Sequence, residues 1–167
     1  GSETSLTAEL GLKSDWWDDR LRVNLVFYET KIDDKVERSD AYASEGVIES
    51  TLDNIADIDI NCWELELKST PLENLFVELS YAHTNSNYTK YLTEDLANPG
   101  GSADLSYLSP ERAPGNNLYV GAHYSFPFAL GQIKTYAGYR LLKDYQTYPL
   151  LPEGEVNNWA SVDLSIS

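Results

Sequence analysis

The chain is poor in the residues that most soluble enzymes and metalloproteins rely on. It has one cysteine, two histidines, no methionine, and 12 basic residues against 27 acidic ones. The lone Cys62 excludes an intrachain disulfide framework and a cysteine-based zinc cluster. His83 and His123 have no second His or Cys at ligand spacing. A net charge of -15 and a pI near 4.3 exclude nucleic acid as a partner, because phosphate binding needs clustered Lys and Arg. No run approaches the roughly 18 apolar residues of a spanning helix, and Gly1 to Ser5 lack the basic and apolar regions of a signal peptide. There is no G-x-S-x-G elbow and no glycine-rich phosphate loop before a helix. Asp53, Asp57 and Asp59 with Asn54 offer oxygen ligands without the spacing of an EF-hand. These absences predict no catalytic, cofactor or metal site, and therefore no enzyme.

What the sequence does contain is alternation with a period of two. Leu21, Val23, Leu25 and Phe27 face one way, and Arg22, Asn24, Tyr28 and Thr30 the other. The pattern recurs in about seven segments: Thr4 to about Trp17, Arg20 to about Asp33, about Asp57 to Ser69, Leu75 to about Thr89, Asn116 to Phe126, Gln132 to about Thr147, and Asn157 to Ser167. Short connections at Asp18-Asp19, residues 70–74 and residues 127–131 alternate with longer ones at about 34–56, 90–115 and through Pro149, Pro152 and Gly154. Every proline is expected in a turn or loop. Trp63, Leu65 and Leu67 occupy the opposite parity from Ile58 and Ile60, which predicts a bulge near Asn61 or a membrane-crossing part that begins only near Cys62.

Segments of roughly 11 to 16 residues exceed the typical soluble strand of about 5 to 6 and suit tilted spanning strands, which need about 9 to 11 residues in the hydrocarbon. No charge interrupts the apolar parity from Leu21 to Phe27 or from Leu118 to Phe126. The reverse parity carries Glu9, Lys13, Arg22, Glu64, Glu66, Lys68, Glu78, Lys134 and Arg140. Aromatic residues gather near segment ends, as in interfacial girdles. The fold expected is all-β, an antiparallel meander of about seven long strands forming part of an outer-membrane β-barrel wall. The alternative is a soluble secreted β-sandwich that binds carbohydrate or a protein partner through aromatic loops.

Specific residues add to the pattern. Glu3-Thr4-Ser5, then Glu9-Leu10-Gly11-Leu12-Lys13, a turn, Arg20-Leu21-Arg22-Val23-Asn24-Leu25 and Phe27-Tyr28 resemble the barrel hairpin of TonB-dependent outer-membrane receptors. The likeness continues through Trp63-Glu64-Leu65-Glu66-Leu67, the Pro71 turn, Ala113-Pro114 and Trp159-Ala160-Ser161-Val162-Asp163. The resemblance implies one segment, residues 1–167, from the C-terminal half of a 22-stranded transmembrane barrel in the outer membrane of Gram-negative bacteria. Such receptors import scarce nutrients, most often ferric siderophores or other iron complexes. They do so with an N-terminal plug domain and a segment that contacts TonB. The plug, the TonB contact and the final strands are expected to lie outside this chain. Gly1-Ser2 has the form of a cloning remnant.

The ligand-contact candidates are Arg140 and Lys134 on the wet parity, and Tyr88, Tyr91, Tyr107, Tyr145 and Tyr148 in or beside the long connections. The cations suit an anionic ferric complex, or equally a pairing with Glu64, Glu66 or plug residues. The tyrosines suit stacking on a sugar or siderophore, or equally bracing of the rim. The partners expected are outer-membrane lipid, the plug, TonB in the complete receptor, and a small iron complex. The isolated segment, with two open edges, is expected to self-associate.

Overall fold

The chain's computed structural model describes residues 1–44, 47–110, 114–146 and 156–167. Side chains at 43–44, 145–146 and 156–157 lie outside that description, so of the candidates above Tyr148 and the side chain of Tyr145 do too. The strands are β1 (Thr4–Trp16), β2 (Leu21–Ser44), β3 (Val47–Leu72), β4 (Leu75–Glu94), β5 (Ser102–Asp104), β6 (Asn116–Phe128), β7 (Gly131–Gln146) and β8 (Val156–Ile166), with no helix among the described residues. Seven of them form one antiparallel sheet in the order β1-β2-β3-β4-β6-β7-β8, and β5 pairs with the far end of β4.

Cross-strand register turns the alternation into continuous rows. One row runs Leu12, Leu25, Leu65, Tyr81, Leu118, Leu141, Ala160, and the next Ser14, Val23, Leu67, Leu79, Val120, Tyr139, Val162. A third runs Trp16, Leu21, Ser69, Val77, Ala122, Ala137, Leu164. No charge enters any of the three. Leu10, Val162, Leu164 and Ile166 are two-thirds exposed or more, so among the described residues nothing covers this part of the face. A sandwich would bring two such faces together. The single sheet does not, and the sandwich alternative is set aside.

The short turns descend as a staircase. The last pair before the turn is Trp16↔Leu21 in the first hairpin, Leu72↔Leu75 in the second and Phe128↔Gly131 in the third. In register, the third lies six residues below the first, four strands along the sheet. At about 3.3 Å per residue and about 4.8 Å between strands, turns held at one level require a strand tilt of about 45°. That is the inclination of strands in a spanning barrel.

The sheet corrects three sequence expectations. Residues 34–56 are not a loop: β2 and β3 run on as a paired ribbon to Ser44↔Val47, with register shifts near Lys35 and Tyr42. There is no bulge near Asn61, which pairs in unbroken register with Glu29 and Asn85. Ile58 and Ile60 instead share the face of Glu64 and Glu66, beyond the apolar rows. Pro71 and Pro127 lie inside the last residues of β3 and β6, beside the turns, where the ladder is ending.

Beyond the Trp63 row the two faces exchange character. The formerly apolar face now carries Glu29, Asn61 and Asn85, then Lys31, Asp59 and Asn87. The formerly polar face gathers a small core of Ala56, Ile58, Tyr88, Tyr91 and Leu108, with Ile32, Ile55, Ile60 and Leu105 packed on it. The parity change thus marks where the apolar band ends, and no backbone irregularity is required.

Candidate functional site

The polar face offers two places where side chains converge. The first is the core just described. In β4, Thr89 is an extra residue, since Ile58 faces Tyr88 and Asp57 faces Lys90. The bulge brings Tyr88 and Tyr91 to one face, their ring centroids 4.8 Å apart. Tyr88 donates its hydroxyl to Glu37 Oε1 at 2.9 Å, and Tyr91 donates to the Arg38 carbonyl at 3.3 Å. Glu37 also holds Lys35 at 2.9 Å.

A cap closes over this core. Residues 95–101 form a tight connection in which Asp95 accepts from the Ala97 N–H at 2.9 Å and from Asn98 Nδ2 at 2.8 Å. β5 then pairs with residues 92–94, and the Leu105 N–H donates to the Tyr91 carbonyl at 2.7 Å. Asp104 accepts from the Ser106 N–H at 2.9 Å, turning the chain so that Leu105 and Leu108 enter the core. Hydrogen bonds from Asn98, then from the Ala97 N–H, hold the Asp95 carboxyl below its usual range; the Ser106 N–H does the same for Asp104.

The second place is the wall of the polar face at the level of the apolar rows. Gly121 and Gly138 pair across β6 and β7, flanked by Tyr119↔Arg140 on one side and His123↔Tyr136 on the other. Both tyrosines lie over the glycine pair, and their hydroxyls meet 3.1 Å apart. A Cβ at Gly121 would sit 2.5 Å from the Tyr119 oxygen, and one at Gly138 would collide with the Tyr136 oxygen. Only glycine leaves this floor open. Tyr119 donates to Glu78 Oε1 at 2.9 Å, so its oxygen accepts from Tyr136. His123 Nε2 stands 3.8 Å from Glu78 Oε1, with its ring 4.6 Å from that of Tyr136 and 6.0 Å from Phe76. The Arg140 guanidinium lies 5.7 Å from the Tyr119 ring centroid.

Lys68, Glu66 and Arg22 on this face are already matched. Lys68 pairs with Glu66 at 2.7 Å, Asn24 donates to Glu66 at 2.7 Å, and Arg22 pairs with Asp15 at 2.7 Å. The expected pairing of Arg140 or Lys134 with Glu66 therefore does not form; Lys68, two residues away on the same strand and face, takes that carboxylate instead. Arg140 and Lys134 are six residues apart on β7, about 20 Å, so they do not share a site.

On the opposite face, the rim of the apolar rows is aromatic with polar tips. Trp63 and Tyr81 lie 5.0 Å apart, Trp63 and His83 6.4 Å, and Tyr81 donates to Asn116 Oδ1 at 2.6 Å. Such residues suit a boundary between hydrocarbon and water. An uninterrupted apolar band, an aromatic rim and a wet reverse face describe one stretch of transmembrane barrel wall. The chain matches the family described as TonB dependent receptor-like, beta-barrel, over residues 1–167.

The chain belongs to that family. TonB-dependent receptors are outer-membrane proteins of Gram-negative bacteria that act as transporters rather than enzymes. The apolar face is accordingly the lipid face and the polar face the lumen. The luminal wall holds Arg140 and the tyrosine–glycine cluster, with Lys134 toward the short turns. Tyr88 and Tyr91 brace the wall under the cap, and Tyr107 is exposed on the cap itself. Sequence reasoning passed over Tyr119, Tyr136, Glu78 and His123 as a group. The signal available was the recurrence Tyr119-x-Gly121 and Tyr136-x-Gly138, which becomes meaningful only once the two segments are paired.

Proposed function

We propose that this chain forms part of the wall of a 22-stranded receptor that takes up a scarce nutrient, an iron complex such as a ferric siderophore, with energy supplied through TonB. The observation that carries the reading is the two-faced wall within a TonB-dependent receptor barrel, uncharged toward lipid across seven strands and lined with Tyr, Arg and carboxylates toward the lumen. The open order from β1 to β8 supports reading the sheet as one arc of a larger barrel, which in the complete receptor would also carry a plug and a TonB-contact segment.

Growth under iron limitation tests the reading. Deleting the gene for the complete receptor should abolish growth on a subset of ferric complexes and uptake of the same complexes labelled with radioactive iron. Complementation should restore both. Normal uptake of every ferric complex in the deletion strain, with loss of uptake of a non-iron nutrient, would overturn the iron assignment and leave the receptor assignment standing.

A further inference from the structure

The luminal tyrosine–glycine cluster is built like a coordination site. We propose that Tyr119, Tyr136, Glu78 and His123 bind a hard trivalent metal ion of the Fe³⁺ class. In biological use the site rests on the iron-uptake reading above; its chemistry is argued from the donors alone.

Two phenol oxygens and a carboxylate are hard donors, and imidazole suits iron. The separations of 3.1 Å between the phenol oxygens and 2.9 Å from Tyr119 to Glu78 match an edge of about 2.9 Å for an octahedron with bonds of about 2.0–2.1 Å. His123 is half exposed and close enough that a small ring movement would bring Nε2 in as a fourth ligand. Gly121 and Gly138 keep the floor beneath the phenols clear, so the open side of the donor set faces the lumen. Remaining coordination positions are left to water or to a chelating ligand.

Charge points the same way. Two phenolates and one carboxylate supply three negative charges, equal to the ion, and binding releases two phenol protons to solvent. Lys68 is engaged by Glu66 and does not compete for Glu78. Ca²⁺ takes about 6–8 oxygen ligands at longer distances and Mg²⁺ keeps most of its waters, so a compact set of phenol, carboxylate and imidazole donors favours the smaller, more highly charged ion.

The test uses the complete protein, purified in detergent and titrated with Fe³⁺ supplied as ferric nitrilotriacetate. The expected result is a phenolate-to-iron charge-transfer band in the visible, saturating at one ion, erased by excess Ga³⁺ and untouched by excess Ca²⁺. Tyr119→Phe and Tyr136→Phe should each weaken iron retention tenfold or more, and the double variant should lose the band. Phenylalanine keeps the ring over the glycine floor, so unchanged heat-modifiable migration on gels verifies the fold. Absence of the band, its survival in the double variant, or its loss to Ca²⁺ would overturn the site. A band without iron-dependent growth would count against the uptake reading alone, whereas growth without a band would count against the site alone.

Discussion

At the scale of single residues, position on one or other face decides cost. Leu25 stands mid-row between Leu12 and Leu65, and Leu25→Lys should destabilise folding into lipid vesicles by about 2–4 kcal/mol in a urea titration. Ser80→Lys, on the luminal face opposite Glu66, should change it by less than about 0.5 kcal/mol. The glycine floor makes a second prediction. Gly138→Ala should cost about 1–3 kcal/mol by the same titration, because the new methyl displaces the Tyr136 ring and breaks its contact with Tyr119. In a Tyr136→Ala background the same change should cost much less, a coupling that a double-mutant cycle reads directly. The Leu21–Phe27 alternation was legible in the sequence because each of those side chains answers to its own medium. The floor was not, because its meaning depends on Gly121 meeting Gly138, and register between two strands is not written in either one.

At the scale of elements, the cap over the Ile58–Tyr88–Tyr91 core should be the part most easily released. Leu108→Asp places a charge in that core and should open residues 95–108 to protease while the spanning strands stay protected. Acid should do something similar. The Asp95 and Asp104 carboxyls lie below their unfolded value of about 3.9, so what they contribute is present above that pH and lost as pH falls through their folded values. Pepsin cleavage within 95–108 should therefore rise steeply below about pH 4 and stay slow just above it. Cleavage independent of pH across that window would show that the two Asx turns do not hold the cap. Neither the cap nor the β2–β3 ribbon was legible beforehand. Lys35, Glu37 and Ser39 turn toward the core and cap but are polar, so burial there leaves no apolar period in the sequence, and β5 is three residues long. Tyr88 and Tyr91, three apart, read as facing opposite ways until the extra residue at Thr89 turns them together.

At the scale of the molecule, the sheet has, among the described residues, an apolar face with no cover and two edge strands with no partner. The isolated chain should require detergent or lipid, and should scatter light as an oligomer in detergent-free buffer. A lasting monomer there would contradict the wall described above. The two-faced architecture itself was readable from segment length and parity, since about ten residues in hydrocarbon leave a longer signature than a soluble strand. The staircase of hairpin turns has one further effect. Neighbours in the hydrogen-bond ladder are not neighbours in bilayer depth: Leu12 shares a rung with Leu141, yet it stands four residues above its hairpin's last pair, as Thr135 does on β7. A depth-dependent quencher carried on lipid tails would therefore group probes at 12 and 135 and separate 12 from 141, sorting the wall into rings that cut across the spiralling hydrogen-bond rungs.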